Sequence, residues 1–460
     1  MLRHRLALLL SWHGKSWVRG TRGRLSGRPL SFSMTIADYG LVESTGGPNM
    51  LRSGPAITAR PILLQVGLSL ALGLVGWPYV ERSIREGTPP SVARSLLSPR
   101  RRSGSVRGNK RAAGRPPFMP PAVGTEPMNA FQSEAVTEGE TLQDLVRYYA
   151  GDGGAALRAA ARLYRERPCR RLAFAGMGSS YSAPFAVLDE LAEGGIPAVA
   201  VTAHKLGQNR SVLVAPDTLV VGISKSGATR ELLELADALG PDAGAISIVN
   251  RLDSDLAKRS NVSLAMRAGF ETQIASKSFL CSVAVLNLLA AELTGASMPD
   301  RLGWLQAVAL WAQTYLAKVA KGEGDLPNSI WACTHMDIVA SGPSFSTAYK
   351  SALVAREVPR IFASAIDCAD YAHGWAKAIG PGYLGVVLAP EYRSRTIEER
   401  AVGQILDRGG EVVLITGSSV PADRRTAILQ HPAVPESVAP VAQAVLLDAM
   451  IGAMANVARH

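Results

Sequence analysis

Residues 171–182 read RLAFAGMGSSYS, an apolar run that ends in a glycine turn and a cluster of hydroxyl side chains. The run 171–176 is typical of a strand buried on both faces, and residues 183–193 behind it have a helical composition. Further apolar runs at 198–202 and 218–223 follow with helical or polar stretches between them. Short apolar strands that alternate with helices indicate a parallel sheet covered on both faces. The stretch therefore predicts the start of an α/β fold.

A second unit of the same layout begins near residue 337. There DIVASG at 337–342 repeats the strand-to-turn pattern, and GPSFSTA at 342–348 echoes GSSYSAP at 178–184, which lies 164 residues earlier. Helical and strand patterns continue from there to residue 457. Two such units in tandem predict two lobes, each a parallel sheet between helices in three α/β/α layers.

The basic character of the chain comes from its first 127 residues. The whole sequence holds 49 Lys and Arg against 38 Asp and Glu, a net charge of +11. Residues 1–127 contain 19 basic and 5 acidic residues, which leaves 30 basic and 33 acidic residues in 128–460. Arg, Gly, Pro and Ser without a lasting period cannot bury enough apolar surface to order a chain. We therefore expect 1–127 to be a disordered or non-native extension, a first lobe with its leading and linking helices over 128–320, and a second lobe over 321–460.

Residues 62–80 leave one alternative open for this extension. They carry no charge and have about the length that crosses a bilayer, but Gln65, Pro78 and three glycines weaken them as a span. A membrane-tethered form therefore stays an alternative. Because the body is mildly acidic, the sequence argues against nucleic acid as a partner. Its four cysteines lie singly and far apart, which favours a reducing, cytoplasmic setting.

Three hydroxyl-rich turns each open a predicted helix. GMGSSYS at 176–182 and SKSGAT at 224–229 follow predicted strands, and IASKS at 274–278 precedes another helix. Backbone N–H groups at a helix N-terminus, with hydroxyls around them, form a cradle for a phosphate. Ligands of parallel α/β sheets bind at the carboxyl ends of the strands. Each turn alone is explained as well by helix N-capping, but three on one side of a sheet favour an anion site.

Nucleotide and metal sites are not supported. The glycines at 176 and 178 lack the third glycine of a dinucleotide loop, since Tyr181 stands there, and no acidic residue ends the second predicted strand. Cys333, His335 and Asp337 alternate along a strand, but three such residues without a nearby fourth ligand do not make a metal site. We predict neither a metal nor a cofactor.

The hydroxyl turns resemble the sugar-phosphate-binding loops of SIS (sugar isomerase) domains. The resemblance also takes in ETQIAS at 271–276. In the second unit, 352–357 and 370–374 resemble the isomerase half of the glutamine–fructose-6-phosphate aminotransferase family and related amino-sugar-phosphate deaminases. The similarity covers roughly residues 142 to 457, nearly the whole body, and it implies two tandem SIS lobes.

A sugar phosphate is the ligand that the resemblance implies. The residues at the family's binding positions are Gly178, Ser179, Ser180, Ser224, Lys225, Ser226, Thr229 and Ser276. By the same resemblance, Glu357 would move the proton between C1 and C2, and His373 would open the sugar ring across a homodimer interface. The implied activity is an aldose–ketose isomerase or an amino-sugar-phosphate deaminase that acts on a hexose or hexosamine 6-phosphate, with shared active sites in a cytoplasmic dimer.

Several departures from the family pattern support a second hypothesis. Val354 stands where the family usually has a lysine, Lys225 stands where it usually has a glutamine, and Trp375 replaces a proline. The last lysine is Lys377, so a family lysine near the C-terminus has no counterpart, and residues 1–127 contain no cysteine for a glutaminase. These differences leave open a non-catalytic sugar-phosphate sensor or regulator.

Overall fold

The computed structural model describes residues 128–166, 171–210, 214, 217–239, 244–391, 396–421 and 423–456. The N-terminal extension, including residues 62–80, lies outside the described residues.

The first lobe is built on five parallel strands in the order β2-β1-β3-β4-β5. The strands are β1 (Arg171–Gly176), β2 (Ala198–Thr202), β3 (Thr218–Ser224), β4 (Ala245–Val249) and β5 (Val262–Ala265). Its helices are α1 (Ala130–Ala135), α2 (Glu138–Ala150), α3 (Gly154–Glu166), α4 (Ser179–Ser182), α5 (Leu188–Glu193), α6 (Ala203–Gln208), α7 (Arg230–Leu239), α8 (Asp255–Lys258), α9 (Lys277–Thr294) and α10 (Met298–Ala320).

The second lobe has five parallel strands in the order β10-β9-β8-β6-β7, which is the topology of the first sheet. They are β6 (His335–Ala340), β7 (Phe362–Asp367), β8 (Tyr383–Leu388), β9 (Glu411–Thr416) and β10 (Thr426–Gln430). The helices are α11 (Phe345–Glu357), α12 (Cys368–Tyr371), α13 (Ile397–Asp407) and α14 (Ala439–Met454).

The predicted fold class, two tandem α/β lobes, is confirmed. The sequence did not predict β7 and β10, and both lie at an edge of their sheet. Their residues are only intermittently buried, whereas every residue of β8 is buried. An edge strand has a neighbour on one side alone, so it lacks the continuous apolar run of a central strand.

Two apolar helices, α9 and α14, form the centre of the body and contact each other. A helix that is apolar on all sides is buried on all sides, and every residue of α14 is buried. Helix α9 is long and apolar enough to cross a membrane. However, 83% of its residues are buried inside the fold, as in a core helix.

Helix α11 of the second lobe connects the two lobes. It packs against its own strand β7 and also against α4 and residues 183–186 of the first lobe. Two edge-on or tilted aromatic pairs fix this contact: Tyr181 with Tyr349, whose ring centroids lie 5.6 Å apart, and Phe185 with Phe345, at 5.8 Å. The C-terminal part of α11 is thereby brought to the carboxyl end of the first sheet.

Candidate functional site

A cavity of about 280 Å³ lies at the carboxyl end of the first sheet. Four segments form its wall: the turn after β1, the turn after β3, the start of α9 with the chain before it, and α11. The lining residues are Met177, Gly178, Ser179, Ser180, Ser224, Lys225, Ser226, Thr229, Met266, Gln273, Ala275, Ser278, Phe279, Ser282, Leu353 and Glu357. Both lobes therefore contribute to one cavity.

Most of the residues that the sequence singled out meet in this wall. They are Gly178, Ser179, Ser180, Ser224, Lys225, Ser226, Thr229 and Glu357. Two others do not line it: Ser276 is fully buried behind the wall, and His373 is exposed at the surface of its own chain.

The turn after β3, residues 224–229, is held open by its own hydroxyls. Ser224 Oγ accepts the N–H of Gly227 at 3.0 Å and lies 2.8 Å from Thr229 Oγ1. Ser226 Oγ accepts the N–H of Ala228 at 3.1 Å. Gly227 has a φ of +62°, and a Cβ there would lie 2.1 Å from Ser254 Oγ, so only glycine fits. Since α7 begins directly after this turn, its N-terminus faces the cavity with hydroxyls around it.

The turn after β1 returns tightly over the end of its strand. A Cβ on Gly176 would lie 2.5 Å from the carbonyl of Ser180, and Gly178 has a φ of +54°. Backbone hydrogen bonds from Ser180 to Met177 and from Tyr181 to Gly178 close the turn. Both glycines are therefore required for the backbone path that brings the serine residues of this turn to the cavity.

Glu271 occupies the N-terminus of α9. Its buried carboxylate accepts the N–H groups of Ser276 at 2.9 Å and Ser278 at 3.0 Å, and both hydroxyls also donate to it. A carboxylate at this position is stabilised by the helix dipole. The N–H groups of this third turn are thus bonded to the protein itself, which explains why Ser276 is buried behind the wall.

Lys225 links two walls of the cavity. Its ammonium donates to the carbonyl oxygen of Thr272 at 2.5 Å and lies 3.5 Å from Glu271 Oε2. The lysine that departs from the family pattern therefore connects the 224–229 turn to the chain before α9. Lys225 lines the cavity together with Ser224 and Ser226.

Glu357 ends α11 and brings a carboxyl group to the cavity. The surrounding protein desolvates this carboxyl and raises its pKa above the usual glutamate value, and the positive charge of Lys350 opposes the increase. Leu353, one turn earlier, also lines the cavity. Val354 is fully buried in the core of the second lobe, so position 354 does not face this space.

The segment after α12 presents His373 and Trp375 at the surface. The N–H of His373 donates to the carbonyl of Asp370 at 2.8 Å, and Trp375 Nε1 donates to the Asp370 carboxylate at 2.9 Å. Gly374, with a φ of +124°, allows the chain to turn between them. The side chains of His373 and Trp375 are exposed in the single chain.

The Cys333–His335–Asp337 alternation is part of a hydrogen-bonded group at the start of β6. His335 Nε2 lies 3.2 Å from Asp337 Oδ1, and the hydroxyl of Tyr383 donates to Asp337 Oδ2 at 2.9 Å. Both carboxylate oxygens are thus engaged within the protein. Burial raises the pKa of Asp337 above the usual aspartate value. Among the described residues, no group of three or more His, Cys, Asp or Glu side chains is placed to hold a metal ion.

Sequence reasoning did not single out Gln273, Ser282 and Leu353, which also line the cavity, and it included Ser278 only as part of the third hydroxyl turn. Ser278 and Ser282 lie four residues apart, the spacing that puts two side chains on one face of a helix. This spacing was a usable signal, since both are polar residues in the mostly apolar first half of α9. Leu353 gave no comparable signal because its position follows from the packing of one lobe on the other.

The fold and the cavity define a class of protein. Its members have two lobes, each with a parallel α/β sheet, and a hydroxyl-lined cavity at the carboxyl ends of the strands of the first sheet. Residues 167–292 match the sequence profile of the SIS domain. The first lobe of this chain is therefore a SIS domain, and the resemblance drawn from the sequence is confirmed.

Curated proteins match this chain over a longer stretch than the SIS profile does. The glutamine–fructose-6-phosphate aminotransferase of Pseudomonas putida is 27% identical over 298 residues, which is 59% of this chain and 46% of that protein. The chain thus spans less than half the length of this curated relative.

Solved structures show the same fold. The C-terminal domain of glucosamine-fructose-6-phosphate aminotransferase from Francisella tularensis has a TM-score of 0.63 at 19% identity, over 72% of this chain and 96% of that one. Tagatose-6-phosphate ketose/aldose isomerase from Escherichia coli has a TM-score of 0.57 at 17% identity, over 72% and 94%.

Proposed function

We propose that this protein binds a hexose or hexosamine 6-phosphate in the cavity and acts on it as an aldose–ketose isomerase or an amino-sugar-phosphate deaminase. The observation that carries the proposal is that Glu357, a carboxyl group with a raised pKa, lines the same cavity as two hydroxyl turns at helix N-termini. A phosphate site and a base in one small cavity are what such a reaction needs.

The phosphate would lie against the two turns of the first lobe. Hydroxyls of Ser179, Ser180, Ser224, Ser226 and Thr229 would bind its oxygens, Gly178 would let the backbone approach, and Lys225 would supply a positive charge. The N-terminus of α7 adds a favourable dipole. Ser276 would act indirectly, since its hydrogen bonds to Glu271 fix the start of α9 near the sugar. Binding the phosphate away from the reacting carbons positions the sugar.

Glu357 would act as the base at the other end of the sugar. In the open-chain form, its carboxylate takes a proton from the carbon beside the carbonyl and returns it to the neighbouring carbon, which interconverts aldose and ketose. A raised pKa makes the carboxylate a stronger base than an ordinary glutamate. Desolvation by the cavity wall is the physical cause of that increase.

His373 would open the sugar ring in the cavity of a partner subunit. Its exposure on its own chain and its absence from the lining of its own cavity support this arrangement. The proposed protein is therefore a cytoplasmic homodimer with shared active sites, in which residues 128–320 form the first lobe and 321–460 the second.

The test is a panel of hexose and hexosamine 6-phosphates, scored for thermal stabilisation and for product. We expect Glu357→Gln to lower turnover of the active sugar by about a hundred- to ten-thousand-fold, the usual contribution of a general base, with ligand-induced stabilisation preserved. Glu193→Gln, at an exposed glutamate of α5, is the matched control and should leave both readouts unchanged. Wild-type turnover that survives Glu357→Gln would overturn the assignment of the base.

A non-catalytic sensor is the second candidate. The burial of Val354 in the core favours it, because α11 then brings one ionisable group to the cavity wall. This alternative predicts that sugar phosphates raise the melting temperature while no member of the panel is converted. Turnover of any member excludes it.

A further inference from the structure

The backbone on both sides of Glu271 is fixed by side chains from other parts of the first lobe. The carbonyl oxygens of Phe270 and Thr272 each accept a hydrogen bond from a lysine ammonium, and the N–H of Thr272 donates to a glutamate. The three side chains are those of Lys277, at 2.7 Å, Lys225, at 2.5 Å, and Glu134, at 2.9 Å. The chain before α9 is therefore held in place, and the Glu271 side chain extends from a fixed position.

The Glu271 carboxylate connects the start of α9 to the turn after β3. Its Oε1 accepts the N–H groups of Ser276 and Ser278, and its Oε2 accepts the hydroxyl of Ser278 and lies 3.5 Å from Lys225 Nζ. The Glu271 side chain has no exposed surface, whereas 28% of the Lys225 side chain is exposed. A buried carboxylate thus meets a lysine that lines the cavity.

The contacts of Lys225 decide how strongly it can bind an anion. An ammonium group has three N–H donors. In Lys225, one of them donates to the carbonyl oxygen of Thr272, and the carboxylate of the neighbouring Glu271 attracts the ammonium. Among the described residues that line the cavity, Lys225 is the only cation. A phosphate at the 224–229 turn therefore competes with Glu271 for this ammonium.

We propose that Glu271 is a positioning residue that holds the Lys225 ammonium against the chain before α9, and that it thereby limits how tightly the cavity binds a phosphate. The inference rests on the proposed function, in which the phosphate lies against the 224–229 turn. Glu271 does not touch the ligand; it acts through Lys225. A phosphate away from the reacting carbons is bound equally well in the substrate, the transition state and the product, so tighter binding there slows release without speeding the reaction.

The test uses full-length protein and inorganic phosphate as the probe, with calorimetric titration as the measurement. Glu271→Gln keeps the shape of the side chain and removes its charge, and the amide oxygen can still accept the N–H groups of Ser276 and Ser278. The freed ammonium should tighten phosphate binding about tenfold, the order expected for one unit charge across a partly solvated contact. The melting temperature should fall at the same time, because the N-terminus of α9 loses its carboxylate.

The Lys225→Met background shows whether Glu271 acts through the lysine. Lys225→Met should weaken phosphate binding, and adding Glu271→Gln to it should change the affinity by less than about twofold. The double variant lacks both charges of the pair, so this comparison remains available if Glu271→Gln alone fails to fold. Glu193→Gln, at an exposed glutamate of α5, is the matched control and should bind phosphate as the wild type does.

Two results would overturn the inference. One is a folded Glu271→Gln variant in which phosphate binding is unchanged or weaker, since a residue that only caps α9 would lower the melting temperature without tightening binding. The other is a double variant that binds phosphate clearly more tightly than Lys225→Met, since Glu271 would then repel the ligand directly. Kinetics of the active sugar phosphate give a second readout: Glu271→Gln should lower KM without raising kcat.

The outcome is separable from that of the proposed function. If the phosphate affinities follow this pattern but no sugar phosphate is converted, the role of Glu271 stands and the catalytic function fails. If substrate is converted and folded Glu271→Gln binds phosphate as the wild type does, the function stands and the role of Glu271 fails. If Ser224→Ala leaves the phosphate affinity unchanged, the probe binds elsewhere, and both the proposed phosphate site and the role of Glu271 fail.

Discussion

The two sheets have one strand order, but their corresponding turns differ in environment. After β1, Ser180 lines the cavity and no carboxylate takes part in the turn. After β6, the corresponding residue, Ser344, is fully buried against the first lobe. A Cβ on Gly342 in this second turn would lie 3.1 Å from the Asp189 carboxylate and 3.4 Å from that of Glu436.

The turns that follow the corresponding strands β3 and β8 also differ. β3 continues directly into the hydroxyl turn 224–229, whereas the described residues after β8 are Ala389, Pro390 and Glu391, and the described chain resumes at Thr396 before α13. Two acidic groups and a buried serine make the turn after β6 unsuited to an anion. This fold supplies strand ends and helix N-termini twice, and the side chains around them decide which set is suited to an anion. The second lobe contributes a helix, α11, to the wall of the cavity.

The largest expected effect tests which chain supplies His373. Mixing two inactive variants, Glu357→Gln and His373→Ala, and allowing subunits to exchange should restore activity to about a quarter of the wild-type value, because one site in each mixed dimer of twofold symmetry is intact. Activity assays before and after exchange measure it. Each variant exchanged with itself is the control, and no recovery in the mixture would place both residues in one chain's site.

The next prediction compares two glycines with a left-handed φ: Gly227, in the turn after β3, and Gly342, in the turn after β6. Gly227→Ala should lower the free energy of unfolding by more than the roughly 1–2 kcal/mol that a left-handed φ costs an alanine, because the new Cβ also meets Ser254. Gly342→Ala has a similar φ of +50° but meets the ends of two flexible side chains, Asp189 and Glu436, so it should cost less. Chemical denaturation measures both. Sugar-phosphate affinity should fall in the first variant and persist in the second; equal losses of affinity would contradict the assignment of the site to the first lobe.

A smaller effect is expected from the serines. Ser224→Ala should weaken binding of the active sugar phosphate about tenfold or more, since a hydrogen bond to a charged group contributes about 1.5–3 kcal/mol. Ser344→Ala should leave the affinity unchanged, because its hydroxyl is buried and has no hydrogen-bond partner among the described residues. Calorimetric titration measures both. A loss of affinity in Ser344→Ala would show that the second turn also binds the ligand.

The smallest effect is a pH dependence of stability set by Glu138. Its folded pKa is raised, so the folded state holds this proton more tightly than the unfolded chain, where the value is near 4.5. The resulting stabilisation is complete below that value and declines as the pH rises through the folded pKa, by about 1.4 kcal/mol per pH unit for one proton. Unfolding of wild type and Glu138→Gln across this range should show a steeper decline in the wild type, because Asp337 and Glu357, whose pKa values are also raised, titrate in both proteins. Parallel profiles would mean that Glu138 is not the titrating group.

Local patterns in the sequence predicted the central strands and the two hydroxyl turns, because a buried strand and a turn at its end are encoded by neighbouring residues. The positions of Ser276 and Leu353 depend on how a carboxylate caps α9 and how the lobes pack, which no local pattern contains. Lys350 and Asp448 gave no signal either, since a charged residue on a helix is usually exposed. Their burial became visible only when α2, α11 and α14 were placed together.

Because α11 belongs to the second lobe but lines the cavity of the first, the two lobes cannot be separated without dividing the cavity wall. A gene interrupted between the lobes would leave the hydroxyl turns on the first piece and carry Glu357, the proposed base, away on the second. A first lobe inherited alone would therefore keep its hydroxyl turns without the proposed chemistry. The two sheets share one strand order, but α11 of the second lobe packs against the first, so the halves are interdependent.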